Sequence, residues 1–155
     1  MCNIAHLSAA PAGDRAYLKA LVQASIHHFQ EFRGAGAGVA NGSCCAVMKS
    51  GPGPQDFVFG HSQAHNLDPD APHHGGLFNP DHHAERVVYT AAAAHPAHHN
   101  HLFVELPPCA SCAAWLQATT PHGFNVWYLY ADTESMRLAH AYGTEAELAT
   151  LDSIL

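Results

Sequence analysis

Positive charge is what this chain has least of. Of 155 residues only six are Lys or Arg against thirteen Asp and Glu, a formal net charge of −7. That scarcity counts against extensive contact with the phosphates of a long nucleic acid, which normally shows as a basic patch. The fifteen His residues add positive charge only below neutral pH. Charged residues of both signs make up 12% of the chain and apolar ones 48%, which excludes a disordered polyelectrolyte and fits a globular domain. No apolar run approaches the roughly 20 residues that cross a bilayer. No basic stretch followed by an apolar one opens the chain, so neither a membrane span nor a secretion signal is expected. By length, residues 1–155 form a single domain with a real core.

Cysteine is also sparse, at five residues, yet two of them carry the most specific pattern in the chain, Pro108-Cys109-Ala110-Ser111-Cys112. The other three, Cys2, Cys44 and Cys45, read as buried small hydrophobes of a reduced protein. Two thiolates and the imidazole of His83, in His83-Ala84-Glu85, suit Zn²⁺. Three protein ligands leave the fourth tetrahedral position open, which is the catalytic arrangement. Zinc brings the pKa of a water toward neutrality. Glu85 is then placed to carry protons from that water to a ring nitrogen and on to a leaving amine, without being a ligand.

The spacing makes this workable. Cys109 and Cys112, three apart, share a helix face behind the Pro107-Pro108 start signal, whereas His83 and Glu85, two apart, do not. Both can therefore serve one metal only from a helix tip. Asn79-Pro80-Asp81 predicts such a tip, with an Asn cap and proline at the first helical position. The positive ends of the two helices favour thiolate over thiol. Alone, C-x-x-C is equally a redox pair or half of a structural zinc site, and one H-x-E means little among fifteen His. The ordered combination is far more specific, and H-x-E followed by P-C-x-x-C is a recorded signature of zinc nucleobase deaminases.

Along the rest of the chain, residues 1–12 show no strong period and read as a loose leader, with a core over 13–140 and a helical tail over 141–155. Tyr17, Leu18, Leu21, Val22, Ile26 and Phe29 recur at helical spacing between Asp14 and Phe32. Gly34-Ala35-Gly36-Ala37-Gly38 follows as a connection, since no strand precedes it and no P-loop lysine follows. Ser43–Met48 and Asp56–Gly60 read as strands joined at Gly51-Pro52-Gly53-Pro54. The long polar stretch 61–80, rich in His, Asp and Pro, is of a length more often functional than decorative. Pro80–Ala94 reads as the Glu85 helix, Leu102–Leu106 as a strand, Cys109–Thr119 as the cysteine helix and Val126–Tyr130 as a strand. His98, His99 and His101 read as surface polar residues. Glu134–Tyr142 and Glu145–Leu151 read as short helices, the second with a Thr144-x-x-Glu147 capping box. Alternating strands and helices predict an α/β fold, a three-layer α/β/α sandwich with a mixed four- or five-stranded sheet.

This order, with His83-Ala84-Glu85 on one helix and Pro108-Cys109-Ala110-Ser111-Cys112 on the next, resembles the cytidine deaminase superfamily over about residues 14–140. Asn79-Pro80 before His83-Ala84-Glu85 resembles the tRNA adenosine deaminases, which implies a ribose contact for Asn66, although their basic C-terminal helix is missing. The plan is also similar to AID/APOBEC proteins, in which the segment holding Trp127, Tyr128 and Tyr130 touches the bases beside the target. Strand alternation puts Tyr128 and Tyr130 on one face and Trp127 on the other; packing between sheet and helix explains at least two of the three equally well. Gly42-Ser43-Cys44-Cys45-Ala46-Val47 does not supply the substrate-binding Asn and Glu of free cytidine deaminases. The chain most resembles the deaminase domains of bacterial polymorphic toxins, although no clear fifth strand is legible.

The resemblance implies cytosine-to-uracil deamination in nucleic acid, with single-stranded DNA expected ahead of double-stranded DNA or RNA. The alternatives are a free nucleoside, base or other small aminated heterocycle, an adenine substrate, or a non-catalytic zinc module. It also implies Zn²⁺ on His83, Cys109 and Cys112, Glu85 as the catalytic residue, and substrate contacts from Asn66, Ala84, Pro108 and Tyr130. A toxin domain further implies a secreted parent protein, a cytoplasmic site of action and an immunity protein as partner.

Overall fold

The structure, a computed structural model, describes residues 2–30, 44–62, 83–92 and 100–155. Its strands are β1 (Asn3–His6), β2 (Cys45–Lys49), β3 (Phe57–His61), β4 (His101–Val104) and β5 (Asn125–Tyr128). Its helices are α1 (Arg15–Gln30), α2 (Ala84–Ala92), α3 (Ala110–Thr119), α4 (Thr133–Tyr142) and α5 (Thr144–Ile154). The five strands form one mixed sheet in the order β1-β5-β4-β2-β3. β4 and β5 run parallel across the α3 crossover, and β2 runs antiparallel to both β3 and β4.

Strand periodicity sorts the core into two layers. Val47, Phe103 and Trp127 face a cluster built with Leu18, Leu21 and Val22 of α1, Met136 of α4 and Leu151 of α5. Their neighbours Ala46, Met48, Leu102, Val104 and Val126 face the other way, onto Ala84, Val88 and Ala92 of α2 and Leu116 of α3. Successive side chains of a strand point to opposite faces, so each strand serves both layers. The expected α/β/α sandwich follows, with α2 and α3 together on one face of a five-stranded sheet.

The fifth strand comes from the segment read as a loose leader. Asn3–His6 pairs in parallel with Asn125–Tyr128, and Leu7 beyond it is fully buried. Four residues in Asn-Ile-Ala-His order carry too short a pattern to register as a strand, and the pairing with β5 supplies what local propensity lacks. At the other end, Leu151 of α5 lies in the main core, so the last helix is part of the packed structure. The expected capping box at Thr144 does not form. Gly143 is the cap residue with no side-chain bond, and Glu147 turns inward instead. His101 is likewise not a surface group, since its Nδ1 accepts from Trp127 Nε1 at 3.0 Å and its Nε2 lies 3.9 Å from Asp14.

Gly60 governs how closely α2 approaches the sheet. A Cβ there would lie 2.7 Å from Val88 Cγ2 and 3.0 Å from Val87 Cγ1. Gly60→Ala should therefore push α2 outward and destabilise the fold by about 1–3 kcal/mol. Chemical denaturation of both proteins checks this, with an unchanged midpoint counting against close α2 packing.

Candidate metal centre

Two helix starts meet on one face of the sheet. Cys109 is the N-cap of α3, with extended backbone (φ −63°, ψ 166°), and its Sγ accepts from the Cys112 amide at 3.4 Å. The cysteine spacing thus follows from cap geometry, because the cap side chain normally bonds the amide two or three residues on. At the start of α2 the His83 carbonyl accepts from the amides of Arg86 and Val87 at 3.1 and 3.0 Å. His83 is therefore at the tip of that helix. The cap expected at Asn79-Pro80 lies outside the described residues.

The His83 ring nitrogen Nδ1 lies 2.9 Å from Cys112 Sγ and 3.6 Å from Cys109 Sγ. All three donor atoms fall within 4.8 Å of one another, a group that could hold a metal ion. Glu85 Oε1 stands 3.9 Å from His83 Nδ1, and Glu85 is only 4% exposed. The centre is graded from inside to outside, with Cys112 buried, His83 half-buried and Cys109 exposed.

Burial, above all, holds His83 below its ordinary pKa, with Arg86 adding to the shift and Glu85 opposing it. The neutral ring, which has a lone pair to give, is thereby favoured. Burial and then the Glu85 carboxylate push the Cys112 thiol well above its ordinary range. Both effects favour the neutral thiol, and a bound metal ion would invert that preference and drive the proton off.

Arg86 is the group that the sequence reading passed over. It is 8% exposed, donates from Nη2 to the Ser111 carbonyl and hydroxyl at 3.1 and 3.0 Å, and lies with its guanidinium 5.0 Å from the Trp115 ring centre. It also hydrogen-bonds Cys112 and favours its thiolate. One side chain from α2 thus clamps α3 beside the donors. Spacing could have found it, because Arg86 is three residues past His83 and Trp115 three past Cys112, each pair sharing a helix face. Cys44, expected to be a buried hydrophobe, is half-buried. It borders both core layers, and its thiol, raised mainly by burial, feels the carboxylates of both Glu105 and Glu85.

The remaining expected substrate contacts separate. Asn66 lies outside the described residues. Pro108 is half-buried immediately before Cys109, while Ala84 is 1% exposed and packs into the α2 layer. Tyr130, expected to stack on substrate, is a core residue at 7% exposure whose hydroxyl donates to Glu147 at 2.9 Å. The physical reason is local. β5 ends at Tyr128, and the amides of Leu129 and Tyr130 both reach the Glu105 carbonyl, at 3.3 and 2.9 Å. That breaks the alternation, so Tyr130 joins Trp127 in one layer while Tyr128 packs on the other.

Compared with protein-family models, curated proteins and solved structures, the chain gives no match. Among the described residues no helix is long and apolar enough to cross a membrane.

Two outcomes are expected. Metal uptake should release protons and weaken as pH falls, since the Cys112 proton must leave and His83 must stay neutral; titration in weakly buffered solution reads the release, and uptake without protons would contradict the assignment. Arg86→Gln should weaken metal affinity by roughly 10-fold or more, read by competition with a chelator.

Proposed function

We propose that the chain is a zinc-dependent hydrolytic deaminase converting cytosine to uracil in nucleic acid, with single-stranded DNA as substrate. The observation that carries this is the convergence of His83, Cys109 and Cys112 on one point with the Glu85 carboxylate beside it. Tetrahedral zinc with one nitrogen and one sulfur ligand keeps those atoms about 3.6 Å apart. The His83–Cys109 separation of 3.6 Å matches, and the 2.9 Å to Cys112 would have to widen by about 0.7 Å on loading.

Zn²⁺ on these donors supplies Lewis acidity and a water of lowered pKa. Glu85, a carboxylate outside the ligand set, would carry two protons in turn from that water, the first to the ring nitrogen and the second to the departing amine. Among the described residues, Cys109 is exposed and His83 half-buried, which is the side from which a substrate would approach. A base in a duplex must first unstack at a cost of a few kcal/mol, so a single strand is the easier polymer. A domain of this kind acting in a target cell's cytoplasm would be held inactive in its producer by an immunity protein.

The net charge of −7 favours a second reading, in which the substrate is a free nucleoside, base or other small aminated heterocycle. Incubation with a cytosine-containing single-stranded DNA oligonucleotide, with cytidine in parallel, separates them. Uracil should form in the oligonucleotide, and Glu85→Ala should lower the rate by about 10²–10⁴-fold. Turnover of cytidine alone selects the second reading, and activity unchanged in Glu85→Ala removes both.

A further inference from the structure

The chain reaches Cys109 from the opposite layer of the sheet through Glu105. Phe103 faces the α1, α4 and α5 layer, and by alternation so does Glu105, two residues on. Glu105 is 5% exposed and tied on every side. Its amide donates to the Cys45 carbonyl at 2.9 Å, and its carbonyl accepts from Tyr130 at 2.9 Å. Its carboxylate accepts from the Cys45 amide at 2.8 Å through Oε1 and meets His140 Nε2 of α4 at 2.5 Å through Oε2. Glu147 of α5 stands 3.9 Å from the same His140 nitrogen.

We infer that Glu105, braced by His140, is a positioning residue for the metal centre, fixing the end of β4 from which Cys109 is delivered. Only Leu106, Pro107 and Pro108 separate the two residues, and each proline locks its φ near −65°. With φ fixed at two of the three linking residues, the connection has fewer torsions in which to absorb a displacement of Glu105 before it reaches Cys109. Glu105, His140 and Glu147 have donor atoms close enough to be weighed as a second metal group. Two ligands of one zinc keep about 3 Å or more between them, however, and the 2.5 Å between Glu105 and His140 is a hydrogen bond.

The inference rests on the metal-centre assignment, and its test keeps the two apart. Zinc affinity by chelator competition and the visible spectrum of the Co²⁺-loaded protein are measured for the wild type, Glu105→Ala, Glu105→Gln and His140→Gln, alongside thermal melting. Glu105→Ala should weaken metal binding by about 10–100-fold and alter the Co²⁺ bands. Glu105→Gln keeps an acceptor for the Cys45 amide and should recover most of both. Lowered melting temperature with wild-type affinity and spectrum would overturn the inference and leave only a structural role, as would a second zinc equivalent lost in Glu105→Ala. If Glu105→Ala does not fold, His140→Gln and Glu105→Gln decide by the same readouts. A wild type that binds no metal would sink the centre itself.

Discussion

Everything at the candidate site depends on bringing the N-terminal tips of two helices to one point. Thiolate and imidazole donors can share an ion only within a few ångströms, and none of the three lies in the sheet. His83 ends the segment leading into α2, while Cys109 and Cys112 occupy the cap and first turn of α3. Their meeting requires α2 and α3 on the same face of the sheet, side by side and close to it. Small residues allow this, with Ala84, Val88 and Ala92 of α2 packed in the layer shared with Leu116 of α3, and Gly60 of β3 leaving room for the valines of α2.

The same layer buries two charged side chains, Glu85 and Arg86. Burial and then the Glu85 carboxylate raise the Cys112 pKa, a cost to its thiolate. Arg86 offsets part of that cost from the same helix while joining α2 to α3. On the opposite face Glu105, His140, Glu147 and Tyr130 form a second polar group, tying both C-terminal helices to the strand that ends at the cysteine loop. Removing one member of such a network leaves the others unsatisfied in low dielectric, so its parts act together.

Much of this was legible in the sequence. The α/β alternation, the paired helices on either side of Gly143 and the grouping of His83, Glu85, Cys109 and Cys112 all follow from period and spacing. Those signals are local, and they succeed where a single element decides. Features set by a partner were not legible. β1 exists because β5 offers it a parallel edge, and Glu147 abandons its capping position because Tyr130 and His140 wait beneath it. Tyr130 leaves its expected face because two successive amides compete for the Glu105 carbonyl. A pattern of alternating residues cannot show where a strand stops, and the aromatic expected over the substrate was misplaced for that reason.

The central claim is that one metal ion sits on a nitrogen and two sulfurs at the meeting of α2 and α3. X-ray absorption at the zinc K edge of the loaded protein tests it most directly. The account predicts one nitrogen at about 2.0–2.1 Å, two sulfurs at about 2.3 Å and one further light atom from solvent. A shell of four sulfurs, or one of nitrogen and oxygen alone, would contradict it.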